Sequence, residues 1–399
     1  MSELTPVAPR ERVATLDVLR GCAMLGVLLG NLYMLYTGRW AVQGTEAESP
    51  ADTAAEWFMQ LLVEGRAQTL LTLLFGFGFA AQLLRAEARG ERVMPVYLRR
   101  IAALFAIGWC HVLVLWWGDV TWGYAVAALP LLLFLRATNR ARVIWAAAIT
   151  LVPAAIYAAA PVWMWIYERM FADPFPQHSK ELLAAIASGD RIAILEQHAT
   201  MAIVWISGSL GSYPLWLLGR FLLGYVAGAQ RWFEHDGADR IPMFRRIAVI
   251  GGLAALPHLA FTALAMLDVF RLGTLGPAGR VIRALLDQIG VLGQTAMYVA
   301  IVVLLMQRAS WRRLLMIVAP VGRMPLTTYL SQSAICTTLF YGWGFAWSMP
   351  GKAATVGLGF SIFAVQIALS HLWLRWFRFG PAEWLWRTIV YLRPQPMRV

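Results

Sequence analysis

Several residues inside the apolar runs of this chain are of types that can handle charge or protons. Arg20, Arg220 and Arg323 each interrupt such a run, where a guanidinium costs at least about 2.5–3.5 kcal/mol on insertion scales. Arg20 lies just inside its run, Arg220 shortly before Arg231, and Arg323 shortly after Arg313. At about 1.5 Å per helical residue, all three fall roughly 10–17 Å below one face. Asp17, one helical turn before Arg20, is the obvious acid near them. Three guanidinium groups at a common depth would form a pocket for phosphate, pyrophosphate or carboxylate. The alternative is that each snorkels or satisfies helix carbonyls separately.

Asn31 shares a face with Arg20, since eleven helical residues return the azimuth to within about 20°. His111 and Asp119 stand eight residues apart toward the end of another run. On a continuous helix their azimuths differ by about 80°. A His–Asp relay therefore needs a kink or a water, and His111 reads either as a base or as a packed imidazole. His258 and His371 read as structural. Gly322-Arg-Met-Pro-Leu-Thr-Thr-Tyr-Leu-Ser-Gln-Ser333 is the densest polar stretch. Pro325 frees a carbonyl there and predicts a kinked helix lining a cavity. Thr327, Tyr329 and Gln332 from that stretch, with Tyr124, are the side chains expected to face a substrate. Cys22, Cys110 and Cys336 lie in apolar runs without metal spacing, so no metal is implied. No nucleotide-binding fingerprint or serine-hydrolase elbow is present.

The elements that position these residues follow from composition. The 399 residues are 59% hydrophobic and 14% charged, against about 45–50% and about 25% in soluble chains. Disorder, coiled coil, collagen and disulfide-rich secreted folds are excluded, and unbroken apolar runs exclude a transmembrane barrel. The reading is an all-α, polytopic membrane helix bundle forming a single integral domain over 1–399. Its ten spans are 15–37, 68–85, 101–118, 120–136, 143–166, 213–230, 247–268, 284–307, 314–341 and 355–375; ten to eleven are expected. The net charge of +12 comes mainly from arginines in alternate loops, which argues against nucleic acid and puts both termini in the cytoplasm. Segments 38–67 and 167–212 are then extracytoplasmic loops or surface helices. Within them lie an amphipathic stretch at 53–63 and a helix from about 179 to 198, while 379–399 is cytoplasmic and interfacial. Gly26-x-x-x-Gly30 and Gly224-x-x-x-Gly228 are close-contact motifs, with a homodimer through them as one use. Arg99-Arg-Ile-Ala and Arg245-Arg-Ile-Ala, each followed by a histidine (His111, His258), allow a parallel repeat.

The chain resembles the YeiB-like bacterial membrane proteins (domain of unknown function 418) over nearly its whole length. The matching residues are Leu16-Asp-Val-Leu-Arg-Gly21 through Asn31, Leu74-Phe-Gly-Phe-Gly78, and Arg99-Arg100 with Gly108 and His111. They continue through Gly118-Asp119, Tyr124, the 322–333 stretch and Phe379-Gly-Pro-Ala-Glu-Trp-Leu-Trp-Arg387. More distantly it is similar to transmembrane acyltransferases, including acyltransferase-3 proteins and heparan-α-glucosaminide N-acetyltransferase. The former carry on the first span an Arg, ten intervening residues and then a His; here Arg20 and Asn31 have that spacing. The resemblance implies a bacterial inner-membrane protein that takes acyl-CoA or acetyl-CoA as co-substrate near Arg20, Arg220 and Arg323. Asn31 would polarise the acyl carbonyl, and His111, positioned by Asp119, would be the base. Membrane lipids and an anionic small molecule are the expected partners. A transporter or binding protein for an anion or lipid, and a non-catalytic scaffold, are the competing classes.

Overall fold

A computed structural model describes residues 13–37, 39, 49–90, 93–158, 174–209, 213–270, 276–348 and 350–399. Among them the chain is helical throughout, with one isolated β-bridge, Phe377 to Arg398. The helices are α1 (Ala14–Gly30), α2 (Pro50–Phe58), α3 (Arg66–Ala88), α4 (Val93–Val114), α5 (Thr121–Leu131) and α6 (Asn139–Ala158). There follow α7 (Pro174–Ser188), α8 (Arg191–Ser209), α9 (Tyr213–Ala229), α10 (Ile241–Met266) and α11 (Gly276–Met306). The last five are α12 (Ala309–Leu315), α13 (Ala319–Arg323), α14 (Pro325–Phe340), α15 (Lys352–Trp376) and α16 (Pro381–Tyr391).

Six stretches are long and apolar enough to cross a membrane: Ala14–Met34, Pro50–Ala88, Met94–Val114, Glu234–Met266, Ala278–Met306 and Lys352–Trp376. The other expected spans correspond to shorter or broken helices. Run 120–136 becomes α5 with a short 3-10 turn, and 213–230 becomes the 17-residue α9. The end of run 143–166 and parts of segments 38–67 and 167–212 lie outside the described residues.

Run 314–341 is not one kinked helix but three pieces, α12 to α14. Pro325 sits at the start of α14, where its missing N–H costs nothing. The residue before a proline is pushed out of the helical region, and Met324 accordingly takes φ −127°, ψ 51°. The single surface helix expected near 179–198 is likewise two, α7 and α8, separated at Gly189 with φ +72°. This hairpin is not a loose surface feature. Leu182, Ala185, Ile194 and Met201 are buried in one cluster with Trp116, Tyr329 and Tyr341.

Small residues set the helix crossings. A Cβ on Gly224 would overlap the Leu73 carbonyl, and one on Gly76 the Phe221 carbonyl, so α3 and α9 touch backbone to backbone. Gly228 packs on Ala80 and Phe77, and Gly26 on Ala67. The Gly224–Gly228 face and Gly26 are therefore used inside the chain, where close approach replaces hydrophobic segregation as the cohesive force, whereas a Cβ on Gly30 would meet nothing within 4 Å.

Candidate functional site

Arg20 and Arg323 meet in one cavity of about 640 Å³, at the end of the bundle where α1 begins and α3 and α9 finish. Its lining also includes Arg85, Arg89, Arg100, Arg231 and Arg387, against the acids Asp17, Glu234 and Glu383. The excess of positive charge favours an anion. Asp17 pairs with Arg20 at 2.9 Å and Glu234 with Arg231 at 3.3 Å. The Arg100 guanidinium stacks 4.6 Å from the Trp386 ring and donates to Gln82 Oε1. Glu383 is turned to other work. Its carboxylate accepts from the backbone N–H groups of Leu326 (2.6 Å) and Thr327 (3.1 Å) and from Thr327 Oγ1 (2.5 Å). It thus caps the first turn of α14 and ties α16 across the helix break. Burial pushes this carboxyl above its ordinary range, opposed by the Thr327 and Leu326 donors.

Arg220 does not join this cavity. It donates to Thr69 Oγ1 (3.2 Å), the Trp216 carbonyl (3.2 Å) and Gln288 Oε1 (2.9 Å), and lies 3.6 Å from the centroid of the Trp216 ring. Thr69 is near the start of α3, the opposite end from Arg85 and Arg89. Counting residues from Arg231 grouped Arg220 with the other two; its side chain runs toward the start of α9, to Trp216 and Thr69, away from the cavity.

His111 and Asp119 are in direct contact, Nδ1 to Oδ2 at 2.7 Å, and both are buried. Helix α4 ends at Val114, and the amides of Leu115 and Trp116 both donate to the His111 carbonyl. The chain then turns back, so no 80° azimuth has to be bridged. Asp119 Oδ1 accepts from Thr121 N (2.7 Å), Thr121 Oγ1 (2.6 Å) and Trp122 N (3.3 Å). A carboxylate fixed in this way claims a proton on Nδ1 and leaves a lone pair on Nε2. Among the described residues, His111 Nε2 has no hydrogen-bond partner. The Tyr329 ring lies 5.2 Å away and the Trp116 ring 6.2 Å, centroid to centroid. Tyr36 covers Trp116 at 4.3 Å and bonds Ser333 Oγ at 2.6 Å.

His258 provides the contrast. Its Nδ1 also holds an aspartate, Asp287 at 2.8 Å, but Arg66 Nη2 sits 2.8 Å from its Nε2. Arginine only donates, so that lone pair is consumed. The two histidines that follow the repeated Arg-Arg-Ile-Ala segments thus share a dyad, and one of the two is closed.

Comparison with known proteins bears on the whole assembly. The chain is 32% identical over 420 residues to the uncharacterized protein YxaH of Bacillus subtilis (strain 168), covering 100% of this chain and 98% of that one. The model for "Protein of unknown function (DUF418)" matches residues 227–393. The chain belongs to the DUF418 family. It is also 27% identical over 405 residues to the uncharacterized protein YeiB of Escherichia coli (strain K12), covering 95% and 96% of the two chains. A 39.9 kDa protein from the amylase 3′ region of Bacillus acidopullulyticus is 27% identical over 99% of this chain and 98% of its own. No solved structure matches significantly.

The DUF418 segment contains the broken helix and the Glu383 cap. Thr327, expected to face a substrate, instead bonds Glu383 and receives the Ala382 amide at 3.0 Å. Gln332 donates to Gln366 Oε1 and to the Met24 carbonyl, joining α14 to α15 and α1. Tyr124 bonds Thr72 at 2.9 Å in the α3–α5 contact. Asn31 is half-buried and opens a π-helical stretch, Asn31–Tyr36, that carries Tyr36 onto Trp116. Sequence reading missed Glu383 and Trp116 as site residues. Glu383 had a signal, an acid just after the helix-starting Gly380-Pro381; Trp116 had none among 19 tryptophans.

Proposed function

We propose that this DUF418 chain is a membrane-embedded acyltransferase of the bacterial plasma membrane, with both termini and the arginine-rich cavity on the cytoplasmic side. The cavity would hold the phosphates of an acyl-CoA through Arg20 and Arg323. His111 would act as general base toward an acceptor reached from within the membrane. One observation carries the reading: a buried His–Asp dyad whose second nitrogen is open, one helical turn of α14 beyond an arginine-lined cavity. Pro325 lines that cavity, and Tyr329, four residues on and on the same face, lies against His111. A nucleotide-sized anion site beside a base with a fixed tautomer is the constellation that acyl transfer requires.

Calorimetry of the purified protein with acetyl-CoA tests the donor site. Arg20→Ala or Arg323→Ala weakens binding by about 1.5–3 kcal/mol through loss of a charged hydrogen bond, and Arg220→Ala leaves it nearly unchanged. Absence of binding at millimolar acetyl-CoA, or equal effects of all three variants, would overturn the assignment.

The break at Met324 supports a second reading, anion transport, because discontinuous helices line transporter sites. Vesicle uptake of acetyl-CoA or inorganic phosphate, retained in His111→Gln, separates it from acyl transfer.

A further inference from the structure

Among the described residues, three side chains that pack together at His111 each bury a polar atom with unused hydrogen-bonding capacity: His111 Nε2, Trp116 Nε1 and Tyr329 Oη. Their residues are 3%, 0% and 6% exposed. Buried donors and acceptors are almost always paired, and a cluster that is not calls for an occupant. The inventory is specific. Trp116 Nε1–H donates and cannot accept. The Tyr329 oxygen lies beside the Val120 backbone, which leaves its proton to be given away. His111 Nε2, with the ring proton committed to Asp119, accepts. Two donors and one acceptor complement a carbonyl oxygen next to an O–H.

We infer that Trp116 and Tyr329 are the oxyanion donors of this site, receiving the carbonyl oxygen of the acyl-CoA thioester as an acceptor O–H attacks it. The inference rests on the acyl-transfer reading and deepens it. The acceptor oxygen attacks the thioester carbonyl carbon as its proton passes to His111 Nε2. The carbonyl π pair moves onto oxygen, where the indole N–H and the phenol O–H receive it. The pair then returns, the C–S bond breaks, and the thiolate takes the proton from Nε2. The carbonyl-polarising role suggested for Asn31 by spacing thus falls to residues from α14 and the α4–α5 turn. Trp116 is held for that role: its backbone amide donates to the His111 carbonyl at 2.9 Å, and Tyr36 stacks on its indole.

Two CoA thioethers that cannot transfer an acyl group test this without turnover. S-acetonyl-CoA carries a plain ketone, and S-trifluoroacetonyl-CoA hydrates and ionises to a tetrahedral oxyanion mimic. Wild-type protein is expected to bind the trifluoro compound about 10²-fold more tightly or better, as analogues of such states do. Tyr329→Phe and Trp116→Phe are each expected to bring the ratio toward one, with S-acetonyl-CoA affinity within about twofold of wild type. Tyr329→Phe should also melt close to wild type, because its hydroxyl proton has no acceptor to lose. A residue that only packed would not combine these two results. Should Trp116→Phe fail to fold, Tyr329→Phe, which removes a single oxygen, decides the matter. A wild-type ratio near one, or a ratio unchanged in the folded variants, overturns the inference, leaves only a trapped water among the three atoms, and spares the donor-site reading. Failure of wild-type protein to bind either compound overturns both.

Discussion

His111 and His258 both hold an aspartate through Nδ1, and they differ at Nε2, which is open in one and met by Arg66 in the other. Arg66 fills the His258 lone pair while it also binds Gln294 Oε1 and the Gln60 and Glu64 carbonyls. His258→Gln should therefore act on stability, disturbing a hydrogen bond to a buried guanidinium at a cost of about 1.5–3 kcal/mol, seen as a lower melting temperature with turnover per folded molecule retained. His111→Gln should do the reverse, keeping the melting temperature close to wild type while transfer falls about 10²–10⁴-fold. Equal losses of stability in both would remove the distinction. At this scale the sequence disclosed residue types and depth but not direction. Arg20 and Arg323 line one cavity because both flank the contact where Gly322 meets the Asp17 carbonyl. Arg220 was misgrouped because α9 turns it toward Thr69 and Gln288, partners some 150 and 70 residues distant in sequence.

Helix ends decide the geometry at the next scale. The first turn of α14 presents N–H groups that lipid cannot satisfy, and Glu383 supplies their acceptor from α16. Glu383→Ala is expected to cost about 0.5–2 kcal/mol, the range for loss of a cap, and to loosen α16 so that limited proteolysis cuts near residues 377–381 first. Unchanged cleavage would show that α16 is held by Trp386 and Val390 alone. Gly224→Ala is expected to destabilise more than Gly30→Ala, since a Cβ meets the Leu73 carbonyl at the first and open space at the second; thermal melting of the two variants checks this. Pro325 made a break legible, but a hydrophobic run cannot show that 314–341 divides three ways. The His111–Asp119 contact was hidden for a similar reason. Periodicity assumes a continuing helix, and α4 stops at Val114 so that the turn folds Asp119 back.

For the whole molecule, apolar composition made the all-α membrane class plain, and the placing of arginines between runs is the basis of the orientation proposed above. The cavity lined by Arg20, Arg85, Arg89, Arg100, Arg231, Arg323 and Arg387 gathers residues from many of those loops into one place. Orientation then fixes which compartment supplies the ligand. With Cys22, Cys110 and Cys336 replaced, a single Glu87→Cys should resist an impermeant thiol reagent in intact cells and react after lysis; labelling from outside would reverse the topology. The most direct test of acyl transfer is an experimental density map of the protein with acetyl-CoA bound. The diphosphate should lie between Arg20 and Arg323, with the thioester carbon past Pro325 and within reach of His111 Nε2. Density for the ligand beside Arg220, or a thioester directed away from His111, would contradict the account.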